Sequence, residues 1–230
     1  MKLLALECSA AAAGVALYEE ERLLAEQFCN IPQTHSATLL PMAEALLRQT
    51  GVGSEEIGCY AVSSGPGSFT GLRIGIAAVK GMAFPHNTPC IGVSTLEAIA
   101  YGLLGYEGTI AAVMDARCRQ VYGALFEAHN GELHRITEDA GIAISELAGQ
   151  MRSCPGPIWL AGDGAALVFD TLKECGLPLR LAPEPVRFQR ASAVGLCALH
   201  HREEAVAPAA LMPHYLRPAN AIKLAEREKK

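Results

Sequence analysis

No C-x-x-C pair occurs among the eight cysteines, at 8, 29, 59, 90, 118, 154, 175 and 197, which excludes the usual zinc-ribbon and thioredoxin spacings. Cys59 and Cys197 fall inside apolar segments, where a free thiol behaves as a small core residue, so a reducing cytoplasm is the expected setting. A basic excess is also missing. Nineteen Lys and Arg against 24 Asp and Glu give a net charge of −5, which argues against a stand-alone protein gripping phosphate backbones across a broad surface. Glu19, Glu20 and Glu21, in what reads as a hairpin turn, and Arg227, Lys229 and Lys230 at the tail read as solvated ends. No run approaches the roughly 18 apolar residues of a membrane span. The opening apolar run, Leu3 to Leu6, is broken by Glu7 and is too short for a signal peptide. His-Glu-x-x-His and Gly-x-Ser-x-Gly are both absent, so a hydrolase reading rests on a paper triad of Asp115, Ser68 and His35.

Half of the 230 residues are apolar, enough for a chain of this length to bury about 70 to 75% of its unfolded surface without a metal or disulfide staple. Three short strands, Leu3 to Glu7, Gly14 to Tyr18 and Leu23 to Phe28, read as a meander. An amphipathic helix spans about 36–49, with Leu39, Ala43, Leu46 and Thr50 on one stripe and Pro41 at its first turn or a kink. A buried strand at 57–63, a glycine-rich turn, a helix over about 70–84, a strand near 90–93 and a helix from Ser94 follow. The second half repeats the order: strands at 110–114, 120–127 and 132–137, a helix from Ser145, a strand at 158–161, and helices over 165–175 and 191–201. This repeat predicts an α/β fold with two lobes, 1–105 and 106–230. Each lobe is expected to hold a mixed sheet flanked by helices, as in actin/Hsp70-like (ribonuclease-H-like) folds.

The segment Ser63-Ser64-Gly65-Pro66-Gly67-Ser68-Phe69-Thr70-Gly71-Leu72-Arg73 turns a strand into a helix. It is no P-loop, because Gly71 is followed by Leu72 and Arg73 rather than Lys and Ser or Thr; an anion cradle at the helix start stays open. Gly71, Gly75 and Gly81 each cost roughly 0.8 to 1.0 kcal/mol relative to alanine inside a helix. Gly71 and Gly75 share a stripe with Ala78 and Met82, a smooth face that either the protein's own core or another chain can approach closely.

GPGSFTGLRIG over 65–75, followed by Lys80-Gly81-Met82-Ala83, resembles the signature of the TsaB (YeaZ) family. His35-Ser36 with Leu39-Leu40-Pro41, Gly92 to Ala98, Asp115-Ala116-Arg117 with Val121-Tyr122, Gly162-Asp163-Gly164 and Tyr215-Leu216-Arg217-Pro218 agree in order and rough spacing. The resemblance spans nearly the whole chain. It implies a non-catalytic subunit that dimerises with and activates TsaD, the catalytic paralogue. With the ATPase TsaE, that complex transfers threonylcarbamoyl to the adenosine next to the anticodon of tRNA. ATP and tRNA then belong to the complex, this chain needs no cofactor of its own, and a homodimer is a further implied state.

The family's contact helices correspond to about 36–50 and 70–84. That places the partner interface on His35, Leu39, Leu40, Leu72, Arg73, Gly75, Ala78, Val79 and Met82. Thr95 and Ile99 stand where the paralogue carries a metal-binding His-x-x-x-His, so no metal and no catalytic residue is expected, and a lone His35 does not make a zinc site. Glu7-Cys8-Ser9 replaces the Asp-Thr-Ser of many relatives. Glu7 and Ser9, with Gly162, Asp163 and Gly164, are candidates for a vestigial nucleotide site. An independent ATP-binding enzyme of the same superfamily, built on these residues and the glycine turn, is the alternative. Cys118 stands where relatives often continue with Arg, and Asp115 at a strand end reads as a turn cap.

Overall fold

The computed structural model describes residues 1–31, 34–117 and 120–216; Cys118, Arg217, Pro218, Arg227, Lys229 and Lys230 lie outside them. The opening meander forms as expected, from β1 (Lys2–Glu7), β2 (Ala13–Glu19) and β3 (Arg22–Cys29), paired antiparallel. β4 (Ile57–Gly65) then joins β1 in parallel and β5 (Cys90–Ser94) joins β4, giving the order β3-β2-β1-β4-β5. Parallel neighbours need a crossover rather than a hairpin, and α1 (His35–Thr50) and α2 (Phe69–Ala83) supply two of these.

The second sheet repeats the plan. β6 (Gly108–Asp115), β7 (Gln120–His129) and β8 (Glu132–Arg135) form its meander, and β10 (Ile158–Ala161) and β11 (Leu179–Leu181) add in parallel. Its order, β11-β10-β6-β7-β8, is that of the first sheet read from the other edge, with β9 (Ala140–Ala143) also pairing β7. The shared order is the duplicated ribonuclease-H-like arrangement of actin/Hsp70-like folds. β9 and β11 are not legible in the sequence, because segments of three or four residues carry too little alternation to stand out beside Pro178 and Pro183.

Helices fill three layers around the two sheets. α1 and α2 cover the outer face of the first sheet, where Leu4, Leu6 and Val15 meet Leu39, Leu46 and Val79. α4 (Ile144–Met151) and α5 (Ala165–Leu172) cover the outer face of the second. Between the sheets lie α3 (Thr95–Tyr101) and α7 (Ala191–His200), beyond the short α6 (Glu184–Arg187). α3 sends Ala98 and Tyr101 toward the first sheet and Leu96 and Ile99, joined by Leu103 just past its end, against Ile110, Met114 and Phe126 of the second. α7 packs on the first sheet through Val194, Cys197 and Ala198, although it follows the second sheet in sequence. Serine caps start α2 and α3: Ser68 Oγ accepts from Gly71 N, and Ser94 Oγ accepts from Glu97 N. No helix among the described residues is long and apolar enough to cross a membrane.

Candidate functional site: the α1–α2 face and the cleft between lobes

The glycine turn carries β4 into α2 and presses the start of that helix onto the end of β1. A Cβ at Gly71 would lie 2.1 Å from the Cys8 carbonyl oxygen, and one at Gly75 would lie 2.8 Å from Cys8 Sγ and 3.1 Å from Val62. The smooth stripe read from sequence therefore meets the protein's own strand at these positions. Leu39, Leu72 and Val79 are likewise sealed in the core, each no more than 1% exposed. These three and Gly75 are removed from the partner interface expected from the sequence, because their contact surface is already used inside the chain.

The opposite sides of the same helices are open. Leu40 is 47% exposed and Phe84, just past α2, is 77% exposed. Ala37, Arg73, Ala77 and Gly81 are also exposed, with Ala78 and Met82 half-buried beside them. Among the described residues nothing lies within 4 Å of a Cβ placed on Gly81. Arg73 is held in place: its guanidinium sits 3.9 Å over the Phe69 ring, its Nε donates to Tyr215 Oη at 3.0 Å, and Phe69 stacks on Tyr215. His35 is half-buried, with Nε2 2.7 Å from the Ala10 carbonyl oxygen, so it ties the start of α1 to the β1–β2 turn. Ala77 and Phe84 escape the sequence reading, which notes Gly81 without placing it in the interface; the three- and four-residue spacing from Arg73 through Ala77 and Gly81 to Phe84 is the available signal.

Between the lobes opens a cleft of about 630 Å³, with Ser9, Ser68, Thr70, Asp115, Arg117, Asp163 and Tyr215 among its walls. Glu7, Gly162 and Gly164 are not among those walls, and only Ser9 and Asp163 of the five nucleotide-site candidates are. Glu7 is 1% exposed, accepts from Ser9 N at 2.5 Å and from the Ser63 hydroxyl, and burial pushes its pKa up against both hydrogen bonds. Gly162 has φ +98° and a missing Cβ 2.0 Å from the Val113 carbonyl oxygen, so its role is the turn itself. Burial also raises Asp163, which accepts from Gln189 at 2.8 Å. Asp115 caps its turn by accepting from Arg117 N at 2.7 Å.

These groups do not fit magnesium-ATP. The carboxylate expected to approach the metal is buried below the cleft floor. Ser68 N is spent on the Ser9 carbonyl at 2.7 Å, so the start of α2 offers a phosphate fewer free donors. No lysine lines the cleft among the described residues. The paper triad is not assembled either, since His35 Nε2 faces Ala10 and Ser68 Oγ faces Gly71. Thr95 and Ile99 are buried, the latter in the core against the second sheet.

Fold and site together define a two-lobed actin/Hsp70-like α/β protein with an open helical face and a cleft poorly equipped for nucleotide. Residues 30–204 match the family model described as TsaD, tRNA N6-adenosine threonylcarbamoyltransferase. The chain is 34% identical over 183 residues to the tRNA threonylcarbamoyladenosine biosynthesis protein TsaB of Escherichia coli K12, covering 78% of this chain and 79% of that one. With TsaB of Bacillus subtilis 168 it shares 28% identity over 228 residues, 96% of each chain. The solved structure of YeaZ from Pseudomonas aeruginosa aligns with a TM-score of 0.76 at 29% identity, covering 94% of this chain and 99% of that one. The chain belongs to the TsaB (YeaZ) family.

Proposed function

We propose that this chain is a non-catalytic accessory subunit in threonylcarbamoyladenosine formation on tRNA. It acts by docking on a TsaD-like catalytic paralogue, with a TsaE-like ATPase in the same complex. The observation that carries the reading is the outer face of α1 and α2, left open among the described residues, where Leu40 and Phe84 stand 47% and 77% exposed beside Gly81. Gly81 costs helix stability and relieves no crowding within the chain, which makes sense if a partner helix approaches there. Arg73, Leu40, Ala78 and Met82 remain in the proposed interface, with Ala77, Gly81 and Phe84 added and His35 at its edge. A second copy of the chain can use the same face when the paralogue is absent.

Nucleotide and tRNA are assigned to the complex, and the chain alone is proposed to hold no nucleotide cofactor. The spans 1–105 and 106–230 are proposed as its two lobes, with α7 lent back to the first. A reducing cytoplasm suits the free cysteines. Reconstituting threonylcarbamoyl transfer with and without the chain tests the reading: transfer should depend on it, and full activity without it would overturn the assignment. The alternative, an independent ATP-binding enzyme, has the buried Glu7 and the spent Ser68 N against it, and calorimetry with magnesium-ATP on the isolated chain separates the two.

A further inference from the structure

We propose that Glu97, Cys197 and His201 form a binding site for a divalent transition-metal ion, zinc being the ion that suits their oxygen, sulfur and nitrogen donors. Cys197 and His201 are one helical turn apart at the end of α7, so their side chains share a face. Glu97 comes from α3, the neighbouring helix between the sheets. The three ligand atoms lie within 4.8 Å of one another, and His201 Nε2 is 2.8 Å from Glu97 Oε1. Ligands of a tetrahedral zinc ion at about 2.0 to 2.3 Å from the metal stand about 3 to 4 Å apart, so small side-chain movements close the site. This is a different place from the paralogue's metal position, since Ile99 of α3 packs against the second sheet.

Outer contacts already orient the donors. Glu204 Oε1 is 3.0 Å from His201 Nδ1, the carboxylate–histidine arrangement that aims the other ring nitrogen at a metal. Arg135 donates to Glu97 Oε2 at 2.7 Å, leaving Oε1 turned toward His201. The charge balance also favours a cation: Glu97 and Asp139 share the Arg135 guanidinium at 2.7 and 2.6 Å, and Glu204 adds a third carboxylate beside His201. Without metal, His201 fills this need in part. Burial alone would lower its pKa, but its contacts with Glu97 and Glu204 outweigh burial and raise it. Cys197 is 0% exposed and its thiol is kept protonated by burial, a preference that a coordinated metal reverses. The bound ion would pin α3 to α7 between the two sheets.

The test is a titration of the reduced, chelator-stripped full chain with Co²⁺ as a spectroscopic probe, followed by Zn²⁺. A single Co²⁺ should bind with a thiolate-to-cobalt band in the near ultraviolet, and Zn²⁺ should bleach it. Cys197→Ser should abolish the band. His201→Gln should weaken binding at least tenfold, and Glu204→Gln, acting through His201, about tenfold. Should Cys197→Ser fail to fold, His201→Gln, at the helix end, gives the same answer by affinity. Absence of a thiolate band at excess Co²⁺, or unchanged affinity in His201→Gln, overturns the proposal.

Discussion

On the inner side of α2, Gly71 and Gly75 lie against Cys8 with no room for a methyl group, whereas on its outer side Gly81 has, among the described residues, nothing within 4 Å of the position a Cβ would take. The same residue type, at the same cost to the helix, serves two different neighbours. The inner glycines let α2 lie flush on β1 and are part of the fold. The outer glycine has no such use inside the chain, and together with exposed Phe84 it marks the surface proposed for the catalytic paralogue. The comparison teaches that a smooth helical stripe locates a close approach without saying whose.

The largest effect should come from the inner side. Gly75→Leu must place a side chain where Cys8 Sγ and Val62 already stand. Overpacking of this kind costs about 1 to 3 kcal/mol, which for a domain of this size lowers the melting temperature by about 2 to 12 °C. A thermal melt of the isolated chain measures it. An unshifted melt would show that the inner face is loose and return Gly75 to the list of interface candidates.

Next in size is Phe84→Ala on the outer side. Its ring is 77% exposed, so the melt should stay within about 0.5 kcal/mol of the original. Affinity for the paralogue should fall by about 2 kcal/mol, roughly 30-fold, if the ring is an interface anchor. Surface plasmon resonance against the immobilised paralogue reads this. Equal affinity would remove Phe84 from the contact.

A pH dependence probes the floor beneath the inner side. Burial raises the Glu7 pKa above its ordinary value in the folded chain. Its protonated form is thus favoured by folding, and the contribution is present below the unfolded pKa and lost as pH rises through the folded one. Glu7→Gln, which removes the ionisable carboxyl while keeping its shape, should raise the melting temperature at pH 8 and lose that advantage toward pH 4. An advantage that grows with acidity would mean that Glu7 is held as a carboxylate. The smallest expected change is Gly81→Ala in the isolated chain, a gain of at most about 1 kcal/mol in stability from helix propensity.

Much of this architecture is legible in the residues themselves. Three short strand-forming runs between Leu3 and Phe28, separated by small or acidic turn residues, give the meander, the repeated order gives the duplication, and the glycine turn locates the start of α2. The face of α2 is harder to read because periodicity groups Gly71 and Gly75 with Ala78 and Met82, while the neighbour that separates them, Cys8, is more than sixty positions away. Glu7 looked like a cleft residue from its place at a strand end, yet the side chain turns under Ser9 and Ser63. The cluster of Glu97, Cys197 and His201 has no sequence signature, since its two helices are separated by the entire second sheet.

Gly81→Leu tests the central claim most directly, with complex formation and melting followed on the same preparation mixed with the TsaD-like paralogue. The side chain has open space in the free chain, so the melt should be unchanged or slightly higher, while binding and threonylcarbamoyl transfer should both be lost. A variant that folds, binds with the original affinity and supports full transfer would contradict the assignment of the outer α2 face to the partner.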